Sequence, residues 1–94
     1  MTWFVIAPYH RIATGWLGSE DRENRPWPSR KDIAIVTPAN PERLRGCRLR
    51  EGDRLIWVNR DWLPNTVGTA DVICLVETMK AAAKVPIEEE HFAW

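Results

Sequence analysis

Three unbroken apolar runs punctuate an otherwise charged chain: residues 3–7 (Trp-Phe-Val-Ile-Ala), 33–36 (Ile-Ala-Ile-Val) and 55–58 (Leu-Ile-Trp-Val). A strand with one wet face alternates apolar and polar side chains, whereas these runs are apolar on both faces of the pleat. Such strands need cover on both sides, and their β-branched and aromatic content is that of parallel strands flanked by helices. Each run is too short for a stable helix and is closed by Pro8, Pro38 or Asn59.

The intervening segments, 8–32 and 37–54, are each long enough for a crossover. In the first, Ile12, Ala13, Trp16 and Leu17 form a helical stripe, although Gly15 costs about 1 kcal/mol relative to alanine and Gly18 marks a stop. Residues 19–31 then turn polar and contain Pro26 and Pro28, predicting an exposed loop against which Trp27 tucks back. In the second, Asn40-Pro41-Glu42 predicts a capped helix of about two turns that ends near Gly46. Beyond the third run, a helix capped by Thr69 is expected to continue to about Lys84, with Val72, Ile73, Val76, Met79 and Ala83 on one apolar face. Residues 85–94, with Pro86 and three consecutive glutamates, read as a tail on the surface or an added edge.

The pattern therefore predicts one α/β domain over 1–94: a three-stranded, mostly parallel sheet with flanking helices, a reduced Rossmann-like unit. Right-handed crossovers place its first strand in the centre. A chain of 94 residues can bury one modest core.

Charge narrows the choice of partner. Thirteen basic and thirteen acidic residues cancel, so binding of polyanions through overall charge is not favoured. The charge is nevertheless patchy: Arg43, Arg45, Arg48, Arg50 and Arg54 lie close together near Glu42, Glu51 and Asp53. The plain reading is a solvated rim of local ion pairs, and the alternative is a surface for phosphate, nucleic acid or an acidic partner. Cys47 and Cys74 have no metal-ligand spacing and read as free thiols in a reducing cytoplasm. No leader, membrane span or cofactor is expected, because the first apolar run is short and has no basic segment before it. Among six tryptophans, Trp3 and Trp57 belong to the expected core, while Trp62 and Trp94 lie outside it and could dock a protein partner.

In an open parallel sheet, ligands bind beyond the carboxyl ends of the strands. Tyr9, His10 and Arg11 follow the first run, Thr37 and Asn40 the second, and Asn59, Arg60, Asp61 and Trp62 the third. Together they offer a base, two cations, a carboxylate and an aromatic wall. Individually, His10 reads as an exposed turn residue, Asn40 as a cap, Asn59 and Asp61 as turn formers and Arg60 as a solvated charge. His10 and Asp61 with no positioned Ser or Cys make no triad. Residues 7–10 lack the glycines of a dinucleotide fingerprint, and residues 15–18 are too short for a phosphate loop.

Two resemblances attach to these residues. The order of runs, with Leu44-Arg45-Gly46 linking strand 33–36 to Asp53-Arg54-Leu55-Ile56-Trp57-Val58, resembles small α/β proteins encoded by actinobacterial phages. That likeness implies a phage gene product acting in the infected cell's cytoplasm and supplies no catalytic residues. Separately, Leu49-Arg50-Glu51-Gly52-Asp53-Arg54-Leu55-Ile56-Trp57-Val58-Asn59 resembles the Leu-x-x-Gly-Asp-x-Ile-x-x-Val-Asn stretch of PDZ domains. It implies a peptide-binding module with an antiparallel partial barrel and a groove beside the last helix. The expected function is a non-enzymatic interaction protein using Trp62, Trp94 and the arginine segment. The alternatives are a PDZ-like peptide binder and an enzyme acting on a small molecule or phosphate ligand at the strand ends.

Overall fold

The computed structural model describes residues 2–19 and 30–94. Four strands, β1 (Trp3–Ile6), β2 (Ile33–Val36), β3 (Arg54–Val58) and β4 (Glu88–Phe92), form one sheet in the order β2-β1-β3-β4. All three pairings are parallel, with Ile6 opposite both Val36 and Trp57, and Val58 opposite Phe92. Helix α1 (His10–Ser19) joins β1 to β2, and helix α2 (Val67–Ala82) joins β3 to β4. Short 3-10 helices occupy Arg30–Asp32, Pro41–Leu44 and Arg60–Trp62. The α/β class and the inner position of β1 follow the expectation. The helix over Ile12 and Leu17 and the parallel pairing belong to that α/β class.

The apolar runs fill both faces of the sheet. Trp3, Val5 and Ala7 join Ile56 and Val58 beneath Ala13, Trp16 and Leu17 of α1. Phe4, Ile6, Leu55 and Trp57 face the other way, under Leu44, Leu49, Val72, Val76 and Met79. Each fully buried aliphatic side chain contributes about 1.5–3 kcal/mol. That packing stabilises α1, whose ten residues include two glycines and are too few for a helix to persist alone.

Three expectations require correction. The sheet has four strands because 88–92 adds a parallel edge, and its acids are neutralised from the sheet and from α2. Arg54 pairs with Glu88 and Glu90, and Lys80 pairs with Glu89. The α2 cap is Thr66, whose hydroxyl accepts from the Thr69 N–H at 3.3 Å, and the helix ends at Ala82. The start is earlier because Gly68 lets the first turn press against the Pro38 carbonyl, where a Cβ would overlap the oxygen. The segment after Asn40 is a single 3-10 turn, and Asn40 makes no side-chain cap to it. Of the loop expected over 19–31, α1 reaches Ser19 and a 3-10 turn begins at Arg30, while Pro26, Trp27 and Pro28 lie outside the described residues.

Candidate functional site

In this strand order, α1 leaves β1 over one face and α2 leaves β3 over the other, so the connections diverge between the two central strands. Such a switch point is where open α/β sheets place ligands, beyond the carboxyl ends. Every strand-end candidate from the sequence lies at that end of the molecule. They are not equally available for binding.

At the end of β1, Tyr9 is 57% exposed, and His10 and Arg11 stand exposed in the first turn of α1. At the end of β2, buried Thr37 donates to Asn40 Oδ1 from both its N–H and its hydroxyl, each at 2.9 Å. Asn40 is therefore consumed in closing the turn. At the end of β3, Asn59 adopts a left-handed conformation (φ 52°), which asparagine tolerates better than most residues. Its side chain bonds the Trp94 backbone, and its N–H donates to the Phe92 carbonyl at 2.8 Å. The Arg60 guanidinium covers the Trp57 ring at 4.3 Å. Asp61 and Trp62 remain exposed, Trp62 by 62%.

A shallow cavity of about 370 Å³ lies between residues 59–62 and the end of β4, where His91, Phe92 and Ala93 complete it. Tyr9, His10, Arg11 and Asn40 are not among its walls. His91 is the participant that sequence reasoning missed. The signal became readable only once β4 paired with β3, because the register sets His91 opposite Trp57 and their rings lie parallel at 6.3 Å.

Glu89 lies on the same face of β4 as His91 but is not among the walls of the cavity. Burial opposes its ionisation, but hydrogen bonds from Trp57 Nε1 (3.2 Å) and Lys80, with the positive charges of Lys80 and His91, outweigh that effect. The carboxyl is held below its ordinary value.

The exposed large hydrophobic side chains among the described residues are Tyr9, Trp62, Val67 and Trp94. All four lie just beyond the carboxyl end of a strand or at the start of α2, so one end of the molecule carries them all. Trp94, expected outside the regular elements, is half-exposed and rests its ring on α1 at Gly15.

The arginine segment belongs elsewhere. Residues 45–53 run from the Pro41–Leu44 turn back to the start of β3, bringing Arg48 and Arg50 beside Thr2, Phe4 and Asp53 at the amino ends of the strands. The length of β3, about 3.3 Å per residue, separates them from Trp62. Trp62 and Trp94 thus lie at the opposite end of the sheet from Arg48 and Arg50. The local ion pairs expected in the arginine segment are absent: among the described residues, Arg43, Arg45, Arg48 and Arg50 make none. The nearest buried carboxylate, Asp53, is occupied by the backbone N–H groups of Thr2 (2.7 Å) and Arg50 (2.9 Å).

No family model, curated protein or solved structure matches the chain, so the functional argument rests on this geometry. No described helix is long and apolar enough to cross a membrane.

Proposed function

We propose that the protein is a non-enzymatic interaction module, of the accessory kind implied by the phage resemblance, which binds a protein partner in the cytoplasm through the carboxyl end of its sheet. The observation that carries this reading is the gathering of Tyr9, Trp62, Val67 and Trp94 at that one end. With Arg11 and Arg60 beside them, they have the Trp, Tyr and Arg composition of interface anchors. The commitments of the polar candidates support binding over turnover. Asn40 holds Thr37, Asn59 holds Trp94, and Arg60 lies on Trp57, so three of the groups an enzyme would need are already engaged.

The test is affinity capture from bacterial lysate with the tagged protein, followed by titration of the purified partner against wild type and Trp62→Ala. Trp62 is mostly exposed, so the variant should fold normally while its affinity falls by about tenfold or more. Equal affinity of the two proteins for every captured partner would sink the proposal.

A further inference from the structure

We infer that the protein has a second binding site, independent of the carboxyl end, which receives an acidic segment of a partner protein carrying apolar anchor side chains. The site is the groove between the second half of α2 and residues 46–51. It encloses about 750 Å³ and shares residues 46–48, 50 and 51 with a further opening of about 660 Å³ toward the amino ends of β1 and β2. Leu44, Leu49 and Met79 lie buried along its floor, while Leu75 and Val85 are half-buried on its sides. Such a floor accepts one or two apolar side chains.

The rim supplies the charge. Arg48, Arg50 and Lys84 stand exposed around the groove and make no ion pair, against a single exposed acid, Glu51. By contrast, Arg54 and Lys80 are both engaged with the glutamates of β4. Arg48, Arg50 and Lys84 therefore leave the rim of this groove with three unpaired cations against one acid, and a complementary occupant is anionic.

Two anionic macromolecules fit that description in principle, and the placement of the aromatic residues separates them. Binding of single-stranded nucleic acid combines a cationic track with exposed aromatic rings on which bases stack. Here the exposed aromatics among the described residues, Tyr9, Trp62 and Trp94, are all at the opposite end of the sheet. A groove floored by leucine and methionine and rimmed by arginine suits a peptide with acidic and apolar side chains.

The experiment is selection from a display library of short random peptides on the full-length protein, with titration of the strongest binder. Enrichment of acidic sequences containing a large apolar residue is expected. The selected peptide should lose about tenfold or more in affinity on the double charge reversal Arg48→Glu, Arg50→Glu, and bind Trp62→Ala as it binds wild type. The two arginines are exposed and unpaired, so the reversal leaves the core intact, as an unchanged circular dichroism spectrum will show. Several outcomes overturn the inference: no enrichment, a basic or neutral consensus, affinity indifferent to the reversal, or oligo-dT binding more tightly than the peptide. Loss of binding on Trp62→Ala would likewise move the site to the carboxyl end.

Discussion

Asn59 and Trp94 are joined twice: Asn59 Oδ1 accepts the Trp94 backbone N–H at 2.6 Å, and Asn59 Nδ2 donates to the Trp94 carbonyl at 3.0 Å. The pair fastens the end of β4 to the end of β3 and sets the Trp94 ring beside α1. A left-handed backbone and a short amide side chain are both required at this position, and asparagine supplies the two together. Asn59→Ala removes both bonds and adds backbone strain, and should lower stability by about 2–3 kcal/mol. Asn59→Gly removes the bonds but keeps the left-handed geometry accessible, and should cost about 1–2 kcal/mol. Urea unfolding of both variants checks the order; a glycine variant no more stable than the alanine variant would show that the backbone geometry is not limiting.

Two helical glycines should respond in opposite ways to alanine. At Gly68 the obstacle is the Pro38 backbone carbonyl, which cannot move without disturbing the turn after β2. Gly68→Ala should destabilise by about 2 kcal/mol or more, despite the better helix propensity of alanine. At Gly15 the obstacle is the far edge of the half-exposed Trp94 ring, a side-chain tip that can shift where a backbone carbonyl cannot. Gly15→Ala should change stability by less than about 1 kcal/mol while moving the Trp94 indole N–H resonance. Thermal unfolding and a ¹H–¹⁵N spectrum read the two effects.

What the chain discloses about itself is its two-faced strands. The runs 3–7, 33–36 and 55–58 could be assigned to strands because apolar side chains on both sides of a pleat have few other uses, and the stripe of Val72, Val76 and Met79 marked α2. The composition of the fourth strand left it open between a surface tail and an added edge. Glu-Glu-Glu-His-Phe offers only one apolar side chain to the core, Phe92 against Trp16, and it becomes a strand because Arg54, Lys80 and the Trp57 N–H receive its carboxylates. Arg54 and Trp57 lie far away in sequence, and Lys80 sits on the preceding helix, so no strand pattern announces them. The same remoteness concealed His91 and the docked position of Trp94. The strand-end candidates were legible as a group, since topology alone sends Tyr9, Asn40 and Asn59 to one end. Their division into engaged and free side chains was not, because it depends on hydrogen bonds between distant loops.

Asp53 should prove the most costly polar residue to remove at the opposite end. Its carboxylate is buried and accepts from the Thr2 and Arg50 N–H groups, tying the entry to β1 to the turn before β3. Gly52, with φ of 91°, makes that turn possible. Asp53→Ala leaves two backbone donors unpaired in a confined setting and should cost about 2–4 kcal/mol, while Asp53→Asn keeps one acceptor and should fall between. Chemical denaturation ranks the three proteins, and equal stability of wild type and the alanine variant would show that water replaces the carboxylate without penalty.

The attachment of β4 should weaken in acid through Glu89. Its folded-state carboxyl lies below the ordinary value of 4.5, because the Trp57 and Lys80 hydrogen bonds and the nearby positive charges outweigh its burial. A carboxyl depressed on folding contributes stability that is complete above its unfolded pKa and is lost as pH falls through the folded one. The contribution should therefore be constant at neutral pH and decline below about 4.5 as protonation releases Lys80. Glu89→Gln removes the charge at every pH and should be less stable than wild type by about 1 kcal/mol at pH 7. The difference should shrink toward zero as both proteins are acidified. Urea midpoints across the acidic range, with amide exchange at residues 88–92, make the comparison. A gap between the two proteins that stays constant through the carboxylate range would show that β4 is not held by this charge.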